Sequence, residues 1–334
     1  MVDDHSHNNT LGRSNVSALR RDLDQASQTC FSASDFVGAL TRSFGEEYRP
    51  LAVPIRGSGP PRTMYGIQHP TSYGRRFLLL APFSLYASPG WQGQLRQSTL
   101  DGILGRLTGI RTSSFIWNVR FDHKQLADGL ISSGLKFSQT PTRVLDLTPG
   151  YERTFAGYNA TIRNQVRRAR RIGVSVRETT NRDSVSEYHR IYTRLAQQRG
   201  GYGDTYPVKL FLELVEVRSI ARLLVAEYEG RVIGGGLFFQ DGNSVLYWHA
   251  ASDREYSRFY PSCAVLDEAI RWACESGATF FNFGGSVGLS SLDQFKSFWG
   301  ARTELNCEFE WTNPFWARMS NFKARLTANL CRMN

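Results

Sequence analysis

Hydrophobic spacing divides the chain into a polar tail, a weakly patterned half and a strongly patterned half. Residues 1–30 are rich in Asn, Ser and Asp and hold no sustained period, which predicts a mobile tail. From 31 to 149 the stretches 51–55, 77–81, 115–121 and 144–147 read as strands, and 94–107 and 125–132 as helices, the second closed by Gly134. Thr148-Pro149-Gly150 marks a boundary. Beyond it the pattern sharpens. Asn159 can cap a helix whose Ile162, Val166, Ala169 and Ile172 recur at intervals of four, three and three, and Gly173 stops it.

A strand starting at Val174 follows, then a helix carrying Val185, Tyr188, Ile191, Tyr192 and Leu195. The stretches 221–228, 232–239 and 244–251 form an expected antiparallel meander, joined by Glu229-Gly230 and Asp241-Gly242-Asn243. Pro261 opens a helix ended by Gly277; strand 279–283, helix 292–298, strand 303–309 and a basic helix from Asn313-Pro314 complete the order. This succession predicts a mixed α/β fold with a mainly antiparallel centre, unlike the alternation of a dinucleotide-binding sheet. Gly234-Gly235-Gly236 lies within a strand, where a bulge or a close backbone approach is expected.

The 334 residues suit two domains, divided as tail 1–30, first domain 31–149 and second domain 150–334. No apolar run has membrane-spanning length and the N-terminus lacks a secretory pattern, so a cytoplasmic protein is expected. Five dispersed cysteines and scattered histidines give neither a disulfide framework nor metal-ligand spacing; no metal is expected. The formal net charge is +10, and between residues 151 and 200 eleven arginines face four carboxylates. Such a field favours an anionic partner. Five of those arginines, Arg163, Arg167, Arg168, Arg170 and Arg171, share the helix capped by Asn159, where no acidic residue lies between 159 and 173. Phosphate binding and an ordinary solvated arginine face are both open readings of that helix.

Two segments carry a family resemblance. Ile162-Arg163-Asn164-Gln165-Val166-Arg167-Arg168-Ala169, continuing to Gly173-Val174, resembles the arginine-rich helix of FemAB-like transferases, a branch of the GNAT-like acyltransferases. Phe281-Asn282-Phe283-Gly284-Gly285-Ser286 followed by Leu292-Asp293-Gln294-Phe295-Lys296 and Trp299-Gly300-Ala301 resembles that family's glycine-pair and lysine signature. The resemblance covers roughly residues 150–310. It implies tandem GNAT-like domains, the first of them on family grounds only. It also implies aminoacyl transfer from aminoacyl-tRNA, as a co-substrate and without another cofactor, onto a peptide natural product or a soluble peptidoglycan precursor, by a monomer. Asn282 stands where Asp is common in the family, so no ionisable role is expected there.

In that chemistry an acceptor amine attacks an activated ester, and the enzyme aligns the two and stabilises the oxyanion. The resemblance puts Lys296 in that role, flanked by Phe295 and Trp299; Trp248 at a strand end and Tyr260 at a helix start are further substrate-binding candidates, as is Arg163 a turn ahead of the cluster, and the acid-free helix puts Arg167, Arg168, Arg170 and Arg171 on tRNA phosphate. From periodicity alone Lys296 also reads as a surface lysine on an amphipathic helix, and His249 as a satisfied core histidine. Acyl-CoA is an alternative donor, although Ser252 to Ser262 contains no glycine for a pyrophosphate turn. A non-catalytic RNA-binding protein is a third reading.

Overall fold

The computed structural model describes residues 25–26, 28–55, 62–71, 74–92, 94–198, 205–286 and 288–318. Most of the predicted tail, Lys323 and the C-terminal helix beyond Arg318 lie outside the described residues. The first half contains β1 (Gln25–Ala26), α1 (Ser34–Phe44), β2 (Arg49–Ile55), β3 (Arg62–Pro70), β4 (Arg76–Leu79), β5 (Trp91–Gln92), α2 (Gln97–Leu107), β6 (Thr112–Val119), α3 (Lys124–Ser132) and β7 (Lys136–Asp146). The second contains α4 (Tyr151–Gly157), α5 (Ala160–Ile172), β8 (Ser175–Glu178), α6 (Arg182–Gln198), α7 (Val208–Glu216), β9 (Ala221–Tyr228), β10 (Arg231–Asp241) and β11 (Ser244–Ser252). It ends with α8 (Pro261–Glu275), β12 (Phe280–Gly284), α9 (Ser290–Ser297) and β13 (Arg302–Thr312).

Among the described residues eleven strands form one continuous sheet in the order β2-β3-β4-β6-β13-β7-β12-β11-β10-β9-β8. The architecture is the expected mixed α/β one, with helices on both faces. The last strand does not stay with the half that precedes it. β13 returns between β6 and β7, antiparallel to both, while β7 pairs with β12. The chain is also tied in before residue 31: Ala26 pairs with Trp91, and Gln28 donates to the carbonyls of Ser32 and Thr63.

The central strands are buried on both faces, and this sets their composition. On β9, Leu223 and Val225 join the core shared with α1, α6 and α7, whereas Leu224 and Ala226 join the core under α5 and α8. Phe239 takes the first side and meets Phe31 and Phe36 with ring centroids 5.2 and 5.8 Å apart. Phe238 takes the second, against Phe281. The glycine run on β10 serves a close approach: a Cβ on Gly235 would stand 2.7 Å from the Leu224 carbonyl oxygen and 2.8 Å from the Tyr188 ring. The ladder also slips between Val232 and Gly234, so both features expected there occur.

Candidate active site

Lys296 sits on α9, the short helix after the glycine pair, and is 3% exposed. The preceding strand β12 ends at Gly284, whose φ of 70° lies in the left-handed region that glycine adopts without Cβ strain. This turn aims two carbonyls at the ammonium: Lys296 Nζ donates to Gly284 O at 3.1 Å and to Gly285 O at 2.7 Å. An ammonium has three donors, so one N–H has no protein acceptor among these hydrogen bonds. Gly285 is itself exposed, which puts the buried nitrogen just beneath the surface. Burial pulls the lysine down to about 8; Asp293 opposes that fall and Arg143 adds to it.

A clamp fixes the helix that carries the lysine. Arg143 on β7 donates from Nε to Asp293 Oδ1 at 2.8 Å and from Nη2 to Oδ2 at 2.5 Å, and Ser286 Oγ donates to the same carboxylate at 3.3 Å. The bidentate guanidinium holds the Asp293 carboxyl below its ordinary value. Deeper in the turn, buried Asn282 accepts from Thr142 Oγ1 at 2.6 Å and from the Gly284 N–H at 2.8 Å, and donates to Tyr86 Oη at 3.4 Å. Asn282 therefore anchors the turn as a neutral hydrogen-bonding group. Sequence reasoning did not find Arg143, Thr142 or Tyr86, because the partners lie more than 100 residues away and only strand register unites them.

The arginines of α5 separate into two classes. Arg167, Arg168, Arg170 and Arg171 are all exposed, the first two and Arg171 on the face opposite buried Ile162, Val166 and Ala169 and Arg170 at the flank of that stripe. Arg170 turns back to ion-pair with buried Asp267, which also accepts from Tyr151 Oη at 3.1 Å. Burial pushes that carboxyl up, against the pull of Arg170. Arg167 lies over the Phe155 ring and Arg168 over the Tyr260 ring, each 5.6 Å from the centroid. These positions leave guanidinium edges outward. Arg170 thus ties α5 to α4 and α8 through one guanidinium nitrogen, Nη2.

Two further candidates take structural places. Arg163 donates from Nη1 to the Ala156 and Tyr158 carbonyls and so closes the end of α4. Trp299 is fully buried, edge-on to Tyr158 at 4.8 Å, and packs the core beneath α5 instead of lining a cleft. Phe295 is half-buried and edge-on to Trp299 at 6.0 Å. Tyr260 adopts φ 56°, and its carbonyl accepts from Cys263 and Ala264 at the start of α8. Trp248 stands in a separate aromatic group, stacked on Tyr206 at 5.0 Å and tilted against Phe83 at 5.5 Å. Beside it His249 Nδ1 pairs with Tyr188 Oη at 3.0 Å, and burial drops the imidazole to about 3, so it stays neutral.

With this geometry in view, comparisons with known proteins converge. A family profile described as an acetyltransferase (GNAT) domain matches residues 156–297. The chain is 28% identical over 160 residues to the UDP-N-acetylmuramoylpentapeptide-lysine N(6)-alanyltransferase of Weissella viridescens, covering 46% of each. It is 31% identical over 123 residues to the lipid II:glycine glycyltransferase of Staphylococcus epidermidis, covering 34% of this chain and 30% of that one. The chain thus spans less than half the length of these relatives. The crystal structure of FemX superposes with a TM-score of 0.70 at 12% identity, over 91% of this chain and 98% of that chain. The structure of L-PGS from Bacillus licheniformis does so at 0.53 and 14%, over 91% and 98%. The fold is therefore shared with FemX over nearly the whole chain, and the GNAT profile match falls in the second half.

Proposed function

We propose that this chain, a relative of the FemAB-like aminoacyltransferases, forms a peptide bond by moving an aminoacyl group from aminoacyl-tRNA to an amine of a peptidoglycan precursor or a related peptide. The observation that carries the reading is the buried Lys296 ammonium, held by two carbonyls with one donor left over. The acceptor nitrogen attacks the ester carbonyl carbon, a C–N bond forms, and negative charge develops on the carbonyl oxygen. As the ester C–O bond breaks, the proton lost by the amine passes to the departing ribose oxygen. The third N–H of Lys296, in a site of low solvent content, favours that charge more than it favours the neutral ester. The names of the sequence relatives, an alanyltransferase and a glycyltransferase acting on wall precursors, support the reaction class.

The acyl-CoA alternative meets an obstacle at α8. The residues before that helix, Arg254–Phe259, form a 3₁₀ turn, Pro261 at the first position of α8 has no N–H, and the Tyr260 carbonyl takes the Cys263 amide, so few free amides are left to face a pyrophosphate. The deciding experiment supplies labelled aminoacyl-tRNAs and UDP-linked muramyl pentapeptide, with and without ribonuclease. Product that vanishes on ribonuclease treatment is the expected result. Product that persists, or that requires acyl-CoA, overturns the proposal.

A further inference from the structure

A second basic feature lies at the sheet end where β4 and β6 begin, apart from the arginine helix. Register gathers it: Arg49 pairs with Gln68, Arg76 with Thr112, and the Arg76 amide donates to the Arg111 carbonyl at 2.9 Å. With Arg75 these arginines line a cavity of about 270 Å³, whose other polar lining is Gln68 and Thr71, with no acidic side chain. Arg76 uses two donors on Gln68 Oε1 at 3.1 Å and Thr112 Oγ1 at 3.4 Å. Glu46 approaches Arg49 at 3.5 Å, but it is 95% exposed and lies outside the lining. The lining itself therefore holds four arginines and no carboxylate.

Its rim is apolar. Trp316 carries Arg75 over its ring at 4.8 Å, donates from Nε1 to the Ile110 carbonyl at 2.9 Å, and meets Phe315 with centroids 4.8 Å apart. Ile110 is 70% exposed and Phe315 is 54% exposed. The sequence running on from there, 318–334, holds Arg318, Lys323, Arg325 and Arg332 without a carboxylate side chain. A cationic segment does not fill a cationic cup, and a second copy of the cup repels the first.

We infer that this face docks on an anionic phospholipid bilayer, the arginine cup taking headgroup phosphate while Ile110 and Phe315 enter the interfacial layer. Nucleic acid would satisfy the cup but would leave both apolar side chains in water. The inference concerns a different surface from Lys296 and does not depend on the transfer reaction. The test is cosedimentation of the full chain with phosphatidylglycerol-containing vesicles against pure phosphatidylcholine vesicles. Preference for the anionic vesicles is expected, with about tenfold weaker binding for Ile110→Ser/Phe315→Ser and for Arg76→Gln/Arg111→Gln. Unfolding midpoints near that of the parent protein confirm that the variants are folded; the rim pair is exposed, so it tests the idea even where the arginine pair unfolds. Equal binding to both vesicles, or rim variants that bind like the parent, would overturn it. So would an arginine-dependent grip on RNA without vesicle binding.

Discussion

Lys296 Nζ lies 2.7 Å from the carbonyl oxygen of Gly285, an exposed residue, although the lysine itself is 3% exposed. A charged group so placed is held by backbone dipoles and screened little by solvent. Lys296→Met keeps the length of the stem and deletes the donor. Transfer is expected to fall about 10²–10³-fold, the usual cost of one oxyanion donor, with tRNA retention little changed. Parallel turnover and filter-binding measurements check it, and wild-type turnover in the variant removes the lysine from the reaction.

The low value of this lysine, about 8, gives the pH profile a sign. As an ammonium donor it works when protonated, so its contribution declines as pH rises through about 8. A lysine serving as general base would show the opposite slope. Comparing the parent with Lys296→Met across that range isolates the contribution from titration of the acceptor amine. Stability carries a linked signature. Between about 8 and the ordinary 10.5 the unfolded chain binds the proton more tightly, so the folded state gains stability with rising pH, and Lys296→Met loses that gain.

The clamp on α9 predicts a positioning effect. Arg143→Gln breaks the bidentate pair with Asp293 but leaves the lysine in place. We expect kcat to fall by about tenfold with KM for the acceptor nearly constant, since misplacement by an ångström costs at least that much. Because Arg143 holds Asp293 below its ordinary value, the pair stays intact at neutral pH, and parent activity shows no step from this carboxylate there. A reciprocal Asp293→Arg exchange in the Arg143→Asp background provides the rescue that a purely structural defect would not show.

How much of this was legible in the sequence depended on the range of the contacts. The helix capped by Asn159 and stopped by Gly173 was local, and the structure has the Asn159 side chain accepting from the Thr161 amide and Gly173 at φ 99°. The meander was local too. Strand β7 was read only at its end, because residues Lys136 to Pro141 are all exposed, with no alternation of buried and exposed positions, and only pairing with β13 makes them a strand. Helix α7 was missed although Leu210, Phe211, Leu214 and Val215 show helical spacing, a signal present beside the run of strands. The fate of Arg163 and Arg170 was not readable, since it turns on carbonyls of α4 and on Asp267 of α8.

That division of α5 yields its own prediction. Replacing Arg167, Arg168 and Arg171 with Gln removes only outward cations, so the fold stays intact and the salt dependence of tRNA binding flattens by about 2 in log–log slope. Arg170→Gln instead strands a carboxylate that is 1% exposed. Its expected effect is a loss of about 2 kcal/mol in urea unfolding, moderated by Asp267 taking up a proton, with little change in salt slope. Identical salt slopes for parent and triple variant return the helix to a solvated face.

The two halves meet in a buried ion network whose energetics differ from those of any surface pair. Arg120, 5% exposed at the end of β6, donates to Asp241 Oδ2 at 2.6 Å, to Ser244 Oγ at 2.9 Å and to Asp122 at 2.6 Å. Asp241 also accepts from the Cys30 amide at 2.7 Å, which ties the segment ahead of α1 to the β10–β11 turn. Burial pushes the Asp241 carboxyl up and Arg120 pulls it down. Arg120→Met leaves a carboxylate that is 2% exposed without its cation. A loss of about 3–5 kcal/mol is expected from urea unfolding followed by tryptophan fluorescence. The Arg120→Met/Asp241→Leu pair recovers most of it, because no buried charge is then left unpaired. A double variant as unstable as the single one would mean that packing around the guanidinium, rather than charge, joins the halves.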